Sequence, residues 1–131
     1  MTTENSRSGR NILIVDDNHE LRTAMGTALT GEGYAVSHAT NGHEALSLYR
    51  SNPFDLVVTE LTLGGRGSFQ TILELRRQPV PAKLIATART GRMSADFCLR
   101  MAEHLGAHRT LARPFTTEEL LKAVRSALEE N

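Results

Sequence analysis

Strand-like stretches alternate five times with stretches whose apolar residues recur every three or four positions, and this pattern restricts the fold more than any other feature. The apolar runs proper are Ile12-Leu13-Ile14-Val15, Phe54 to Glu60 and Leu84-Ile85-Ala86-Thr87; Tyr34 to Ala39 alternates loosely and reads as a strand, and residues 108–112 form a weak fifth. Between them, helical stripes are formed by Leu21, Met25 and Leu29, then by Ala45, Leu46 and Tyr49, then by Phe69, Ile72, Leu73 and Arg76. Met93, Phe97, Met101 and Leu105 form a fourth stripe at strict i+4 spacing, read as core, and Leu120, Leu121, Val124 and Leu128 a fifth. Continuous apolar runs suit strands buried on both faces, and amphipathic stripes suit helices that cover a sheet. Five such units predict an α/β fold: a doubly wound, five-stranded parallel sheet in the order 2-1-3-4-5, with right-handed crossovers and helices on both faces.

The punctuation agrees with the periodicity. Asn18 is placed to cap the first helix, and Gly31 and Gly33 to stop it. Asn41-Gly42 turns the chain, Pro53 bars extension of the second helix, Ser68 is a candidate cap, and Pro79 and Pro81 end the third helix. Gly106 ends the fourth, and Thr116 with Glu119 spells a capping box for the last. Residues 1–10 are polar and aperiodic and read as a disordered tail, leaving 11–129 as one domain. No repeat or low-complexity stretch interrupts it.

Composition removes several function classes. Fifteen basic residues balance fifteen acidic ones, so there is no electrostatic case for nucleic acid or an anionic membrane as partner. Cys98 is the sole cysteine, which bars an internal disulfide and points to a reducing compartment. The first residues lack the apolar segment of a signal peptide, and no stretch nears the roughly 20 apolar residues of a membrane helix. A cytoplasmic protein is expected.

The candidate site collects at the carboxyl ends of the strands, where open α/β sheets hold their ligands. Asp16 and Asp17 follow strand one, and Glu60 closes the central strand three. The two aspartates alone equally suit the positive end of the following helix. With Glu60 beside them, a shared acidic pocket is the better reading. Three adjacent carboxylates need a counter-charge, and oxygen-only ligands favour magnesium. Thr87 ends strand four and Arg113 ends strand five. Strand propensity explains a threonine, and a lone arginine is usually solvated. At this rim, however, Arg113 is the pocket's cation, able to fork onto carboxylate or phosphate. The Arg113-Pro114 bond is a candidate cis peptide that aims the side chain inward.

Taken together, Asp16-Asp17, the acid after Phe-Asp-Leu-Val-Val-Thr, Thr87-Ala88 and Arg113-Pro114-Phe115 resemble the receiver domain of bacterial two-component response regulators, over about residues 11–129. The resemblance implies a strand-three aspartate that takes a phosphoryl group from a histidine kinase. It also implies magnesium on the acidic pair, and a strand-four hydroxyl and strand-five lysine that bind the phosphoryl oxygens. Carried onto this chain, the phosphoacceptor position is Glu60, with Thr87 and Arg113 beside it. The metal ligands are Asp16, Asp17, Glu60 and the backbone carbonyl of Thr62. The partners are a histidine kinase or another signalling protein, and a homodimer through the fourth and fifth helices.

This chain departs from that pattern at four places. Glu60 replaces the aspartate, Arg113 the lysine, Gly64 the proline of the following loop, and Thr110 the switch aromatic. A glutamate carboxylate stands one methylene further out, and in-line phosphoryl transfer depends on position. The expectation is a pseudo-receiver, not an enzyme, whose Glu60–Arg113 contact replaces the phosphoryl–lysine contact, with magnesium bound weakly or lost. The alternatives are an inert site with Glu60 in solvent, a working phosphoacceptor, and a small magnesium-dependent phosphohydrolase. The last is disfavoured because no histidine or second nucleophile stands at the strand ends. His104 and His108 are separated by the helix-breaking Gly106, and His19, His38 and His43 form no metal-ligand pattern. Gly64-Gly65-Arg66-Gly67 lacks the spacing of a nucleotide cradle.

Overall fold

The computed structural model describes residues 10–61, 68–88 and 95–129. The strands are β1 (Asn11–Val15), β2 (Ala35–Ala39), β3 (Leu56–Leu61), β4 (Lys83–Ala88) and β5 (Arg109–Ala112). They alternate with α1 (His19–Gly31), α2 (Gly42–Ser51), α3 (Ser68–Arg76), α4 (Ala95–Leu105) and α5 (Thr117–Glu129). All pairings are parallel, and the order is β2-β1-β3-β4-β5. The fold expected from the alternation is the fold observed.

Side chains alternate across a strand, so each apolar run divides between two cores. Leu13, Val15, Val57, Leu61, Leu84 and Ala86 pack on one face with Ala45, Tyr49, Ile72, Leu75 and Ala102 of α2, α3 and α4. Ile12, Ile14, Leu56, Val58 and Ile85 pack on the other with Met25, Leu29, Leu120 and Val124 of α1 and α5. Burying each such side chain contributes about 1.5–3 kcal/mol, and this is why a run with no polar interruption sits in the middle of the sheet.

The caps behave as their residue types demand. Asn18 Oδ1 accepts from the Leu21 amide at 3.0 Å, and Asn41 Oδ1 from that of Glu44 at 2.8 Å. The Thr116 amide donates to Glu119 at 2.8 Å while the Glu119 amide donates to Thr116 Oγ1 at 3.0 Å, which completes the capping box. Gly33 and Gly106 both have positive φ, 97° and 115°, so each ends its helix in a conformation that side chains resist.

Several expectations need correcting. β3 runs one residue further than expected, to Leu61, so Glu60 is its penultimate residue. Ser68 is the first residue of α3 rather than a cap before it. On α3, Ile72 and Leu75 face the core while Leu73 is 37% exposed. On α4, the i+4 stripe is only partly the inner face: Ala102 is fully buried, Leu105 packs against the core, Met101 is half-buried, and Phe97 is 41% exposed. The physical reason is close approach, since the small Ala102 lets the helix backbone settle on the sheet while larger residues flank the contact. The tail over residues 1–9, Thr62, the glycine-rich loop at 64–67 and Met93 lie outside the described residues, as does the side chain of Cys98.

Candidate functional site

Strand register assembles the pocket. Val15 pairs with Thr59, so the next residues, Asp16 and Glu60, stand opposite each other at the rim. Glu60 pairs directly with Thr87, and Ala88 with Ala112, so Arg113 leaves the sheet immediately past the Ala88 pair, two residues beyond the level of Thr87. The Arg113 amide is still held by the Ala88 carbonyl at 2.9 Å, and the Arg113-Pro114 peptide is cis. Residues far apart in the chain thus share one rim because parallel strands end together there.

The acids are close and largely dry. Asp16 is 2% exposed and Glu60 8%, whereas Asp17 is exposed. One carboxylate oxygen from each of Asp16, Asp17 and Glu60 lies within 4.8 Å of the others. Carboxylates so placed repel unless a cation intervenes. Arg113 supplies it. Its Nη2 donates to Asp16 Oδ2, its Nη1 to Glu60 Oε2 at 3.3 Å, and Nη2 also reaches Thr87 Oγ1 at 3.5 Å. The guanidinium side chain is 12% exposed. Its Nε is buried without a hydrogen-bond partner among the described residues. Glu60 therefore points into the pocket and not into solvent.

Asp16 is fixed on every side. Its amide donates to the Ala39 carbonyl at 3.0 Å, and its Oδ1 accepts from the Asn18 amide at 2.8 Å. Its carbonyl accepts from Arg22 Nη1 at 2.7 Å. This clamp by Arg22 was not legible beforehand, because an arginine on the first turns of a helix looks like a surface charge. The Asp16–Arg113 pair was also not foreseen: the expected partner was Glu60, and the guanidinium bridges both.

The donor set is all oxygen and closely spaced, which fits a hard divalent cation such as magnesium. Arg113 engages two of those three carboxylates, so a metal and the guanidinium compete for the same oxygens.

The model of the response regulator receiver domain family matches residues 12–125. A response regulator receiver protein of Anaeromyxobacter sp. (strain Fw109-5) is 34% identical over 113 residues, 86% of this chain and 46% of that protein. The response regulator SaeR of Staphylococcus aureus is 30% identical over 118 residues, 89% of this chain and 50% of its own length. This chain spans about half the length of the curated relatives it matches. Among solved structures, the receiver domain of NtrX from Brucella abortus superposes with a TM-score of 0.82 at 24% identity, covering 92% of this chain and 99% of that one. A response regulator from Thermotoga maritima gives 0.81 at 22% identity, covering 92% and 98%. At these identities the superpositions establish the fold.

Proposed function

The chain belongs to the response regulator receiver domain family of two-component signalling, and from that premise we propose that Arg113, rather than phosphorylation, sets its signalling state. The observation that carries this reading is the guanidinium lying across Asp16, Glu60 and Thr87. In the family pattern, the strand-five cation and strand-four hydroxyl wait for phosphoryl oxygens. Here the equivalent groups face each other and the acids. The Glu60 carboxylate fills space that a phosphoryl group on a shorter aspartate would need, and its Oε2 is already engaged.

Chemically, the arrangement opposes in-line attack. A carboxylate nucleophile needs a free oxygen aimed at the donor phosphorus. Glu60 is buried, paired and one methylene too long. Magnesium, when bound, would be held by Asp16, Asp17 and Glu60 and would neutralise charge on an incoming phosphoryl group. Arg113 already neutralises two of these acids, so weak magnesium binding follows. The chain then works by protein contact, as a binding module and not an enzyme. Its partners are a histidine kinase or another signalling protein, with homodimerisation through α4 and α5, in the cytoplasm. No helix among the described residues is long and apolar enough to cross a membrane.

A second reading, a working phosphoacceptor, draws on the acids' metal-like spacing. Incubation with acetyl phosphate and magnesium, followed by intact-mass measurement, separates the two. We expect no adduct. A stable added phosphoryl group on Glu60 would overturn the pseudo-receiver reading, and turnover of a phosphomonoester would overturn the non-enzymatic one.

A further inference from the structure

A second concentration of charge lies at the opposite end of the sheet from the acidic rim, where β5 begins and α5 finishes. Arg109, the first residue of β5, donates to Ser126 Oγ through Nε at 3.1 Å and through Nη2 at 2.8 Å. Its Nη1 donates to the His108 carbonyl at 2.6 Å. The guanidinium is thereby held as a half-buried strut between strand and helix. Along the outer face of α5, Lys122 stands one turn before Ser126, Arg125 beside it and Glu129 one turn after. These residues and Arg109 line a recess of about 370 Å³.

Two features make this more than scattered surface charge. First, beside the Arg109 strut, Lys122 and Arg125 face a single carboxylate, Glu129, in the recess, in a chain whose net charge is zero. Second, Ser126 is oriented. A hydroxyl has two lone pairs and one proton. Both lone pairs face Arg109 N–H groups, so the proton must turn away, and it meets no acceptor among the described residues. Among the described residues the Lys122 ammonium likewise has no ion-pair partner, and Arg125 reaches only Glu32, just past the end of α1, at 4.0 Å. A fixed O–H donor beside two exposed cations suits an oxyanion, and a fork plus a point charge suits a tetrahedral one.

We propose that this recess binds a phosphate-class oxyanion, either free phosphate or the terminal phosphate of a small molecule. Ser126, Lys122 and Arg125 supply the ligand contacts, and Arg109 orients Ser126. The site is independent of the Glu60 pocket and of how that pocket signals.

The test is an amide-resolved NMR titration of the whole chain with inorganic phosphate and, separately, pyrophosphate, each against sodium chloride at matched ionic strength. Saturable shifts confined to residues around Ser126 are expected for phosphate and not for chloride. Tighter binding of pyrophosphate would identify a phosphate group carried by a larger molecule as the preferred source, and equal binding would identify free phosphate. The pair Lys122→Gln and Arg125→Gln, both exposed and compatible with folding, should weaken binding about tenfold or more. Ser126→Ala should weaken it without removing any charge. Shifts that never saturate, match those of chloride, or survive Lys122→Gln with Arg125→Gln would overturn the proposal, because they describe screening of a helix end.

Discussion

Replacing Arg113 by alanine tests the electrostatic core of the structure most directly. The pair side chains are nearly dry, with Asp16 1% exposed and Glu60 5%. Removing the cation from a buried pair leaves uncompensated charge and costs about 3–5 kcal/mol. The Asn18 amide still serves Asp16 Oδ1, and the pocket opens at the rim, so the lower end, about 3 kcal/mol, is expected. In a domain of this size that corresponds to a melting temperature lower by roughly 10 °C. The variant should then depend on a divalent ion. Three carboxylates within 4.8 Å lose their competitor, and with a dissociation constant of about 1 mM, about 10 mM magnesium restores RT ln 11, or ~1.4 kcal/mol. The parent chain should gain far less from the same addition. Calorimetric melts of both chains, in chelator and in magnesium, read all four values. If Arg113→Ala melts within about 2 °C of the parent and magnesium moves both alike, the guanidinium is not the counter-charge and the reasoning fails.

Three other outcomes follow from particular contacts. Glu60→Asp shortens the acid and frees Arg113, so acetyl phosphate with magnesium should add one phosphoryl group by intact mass; no gain would mean that Arg113 itself disables the site. Gly42→Ala places a Cβ well inside contact distance of Thr71 Oγ1 where α2 meets α3. Overpacking of this kind costs about 1–3 kcal/mol, read from urea midpoints, and the cost should shrink in a Thr71→Ala background; an unchanged cost would refute the clash. Partial burial, with Arg22 and then His19 nearby, holds the His38 imidazole below its ordinary 6.5. The folded state thus resists protonation, so stability is complete above that value and declines as pH falls through it toward the folded one. His38→Gln should flatten this decline in denaturation midpoints, and an identical slope in the variant would refute the attribution.

Much of the architecture was readable in one dimension, for definite reasons. The three central strands came from unbroken apolar runs, and helix starts from Asn18 and the Thr116–Glu119 pair, which act through neighbours a few residues away, whereas Asn41 read only as a turn and its capping of α2 came from the structure. The rim of acids was readable too, because strand ends locate side chains without further detail. Periodicity was less reliable for α3 and α4, where it chose Leu73 and Phe97 as core and both are exposed. An i+4 stripe identifies a helix, yet how closely its backbone approaches the sheet decides which residues are inner, and that depends on small side chains such as Ala102.

Local order in the chain therefore determined the five repeated units, their caps and the meeting of Asp16, Asp17 and Glu60. Only the tertiary structure decided that Arg113 bridges Asp16 as well as Glu60, that Arg22 clamps the Asp16 carbonyl, and that Arg109 orients Ser126. Periodicity and capping act over one or two turns, so neighbouring residues record them. A guanidinium chooses among carboxylates tens of residues away by distance and burial, and those exist only once the strands have paired and the helices have closed over them.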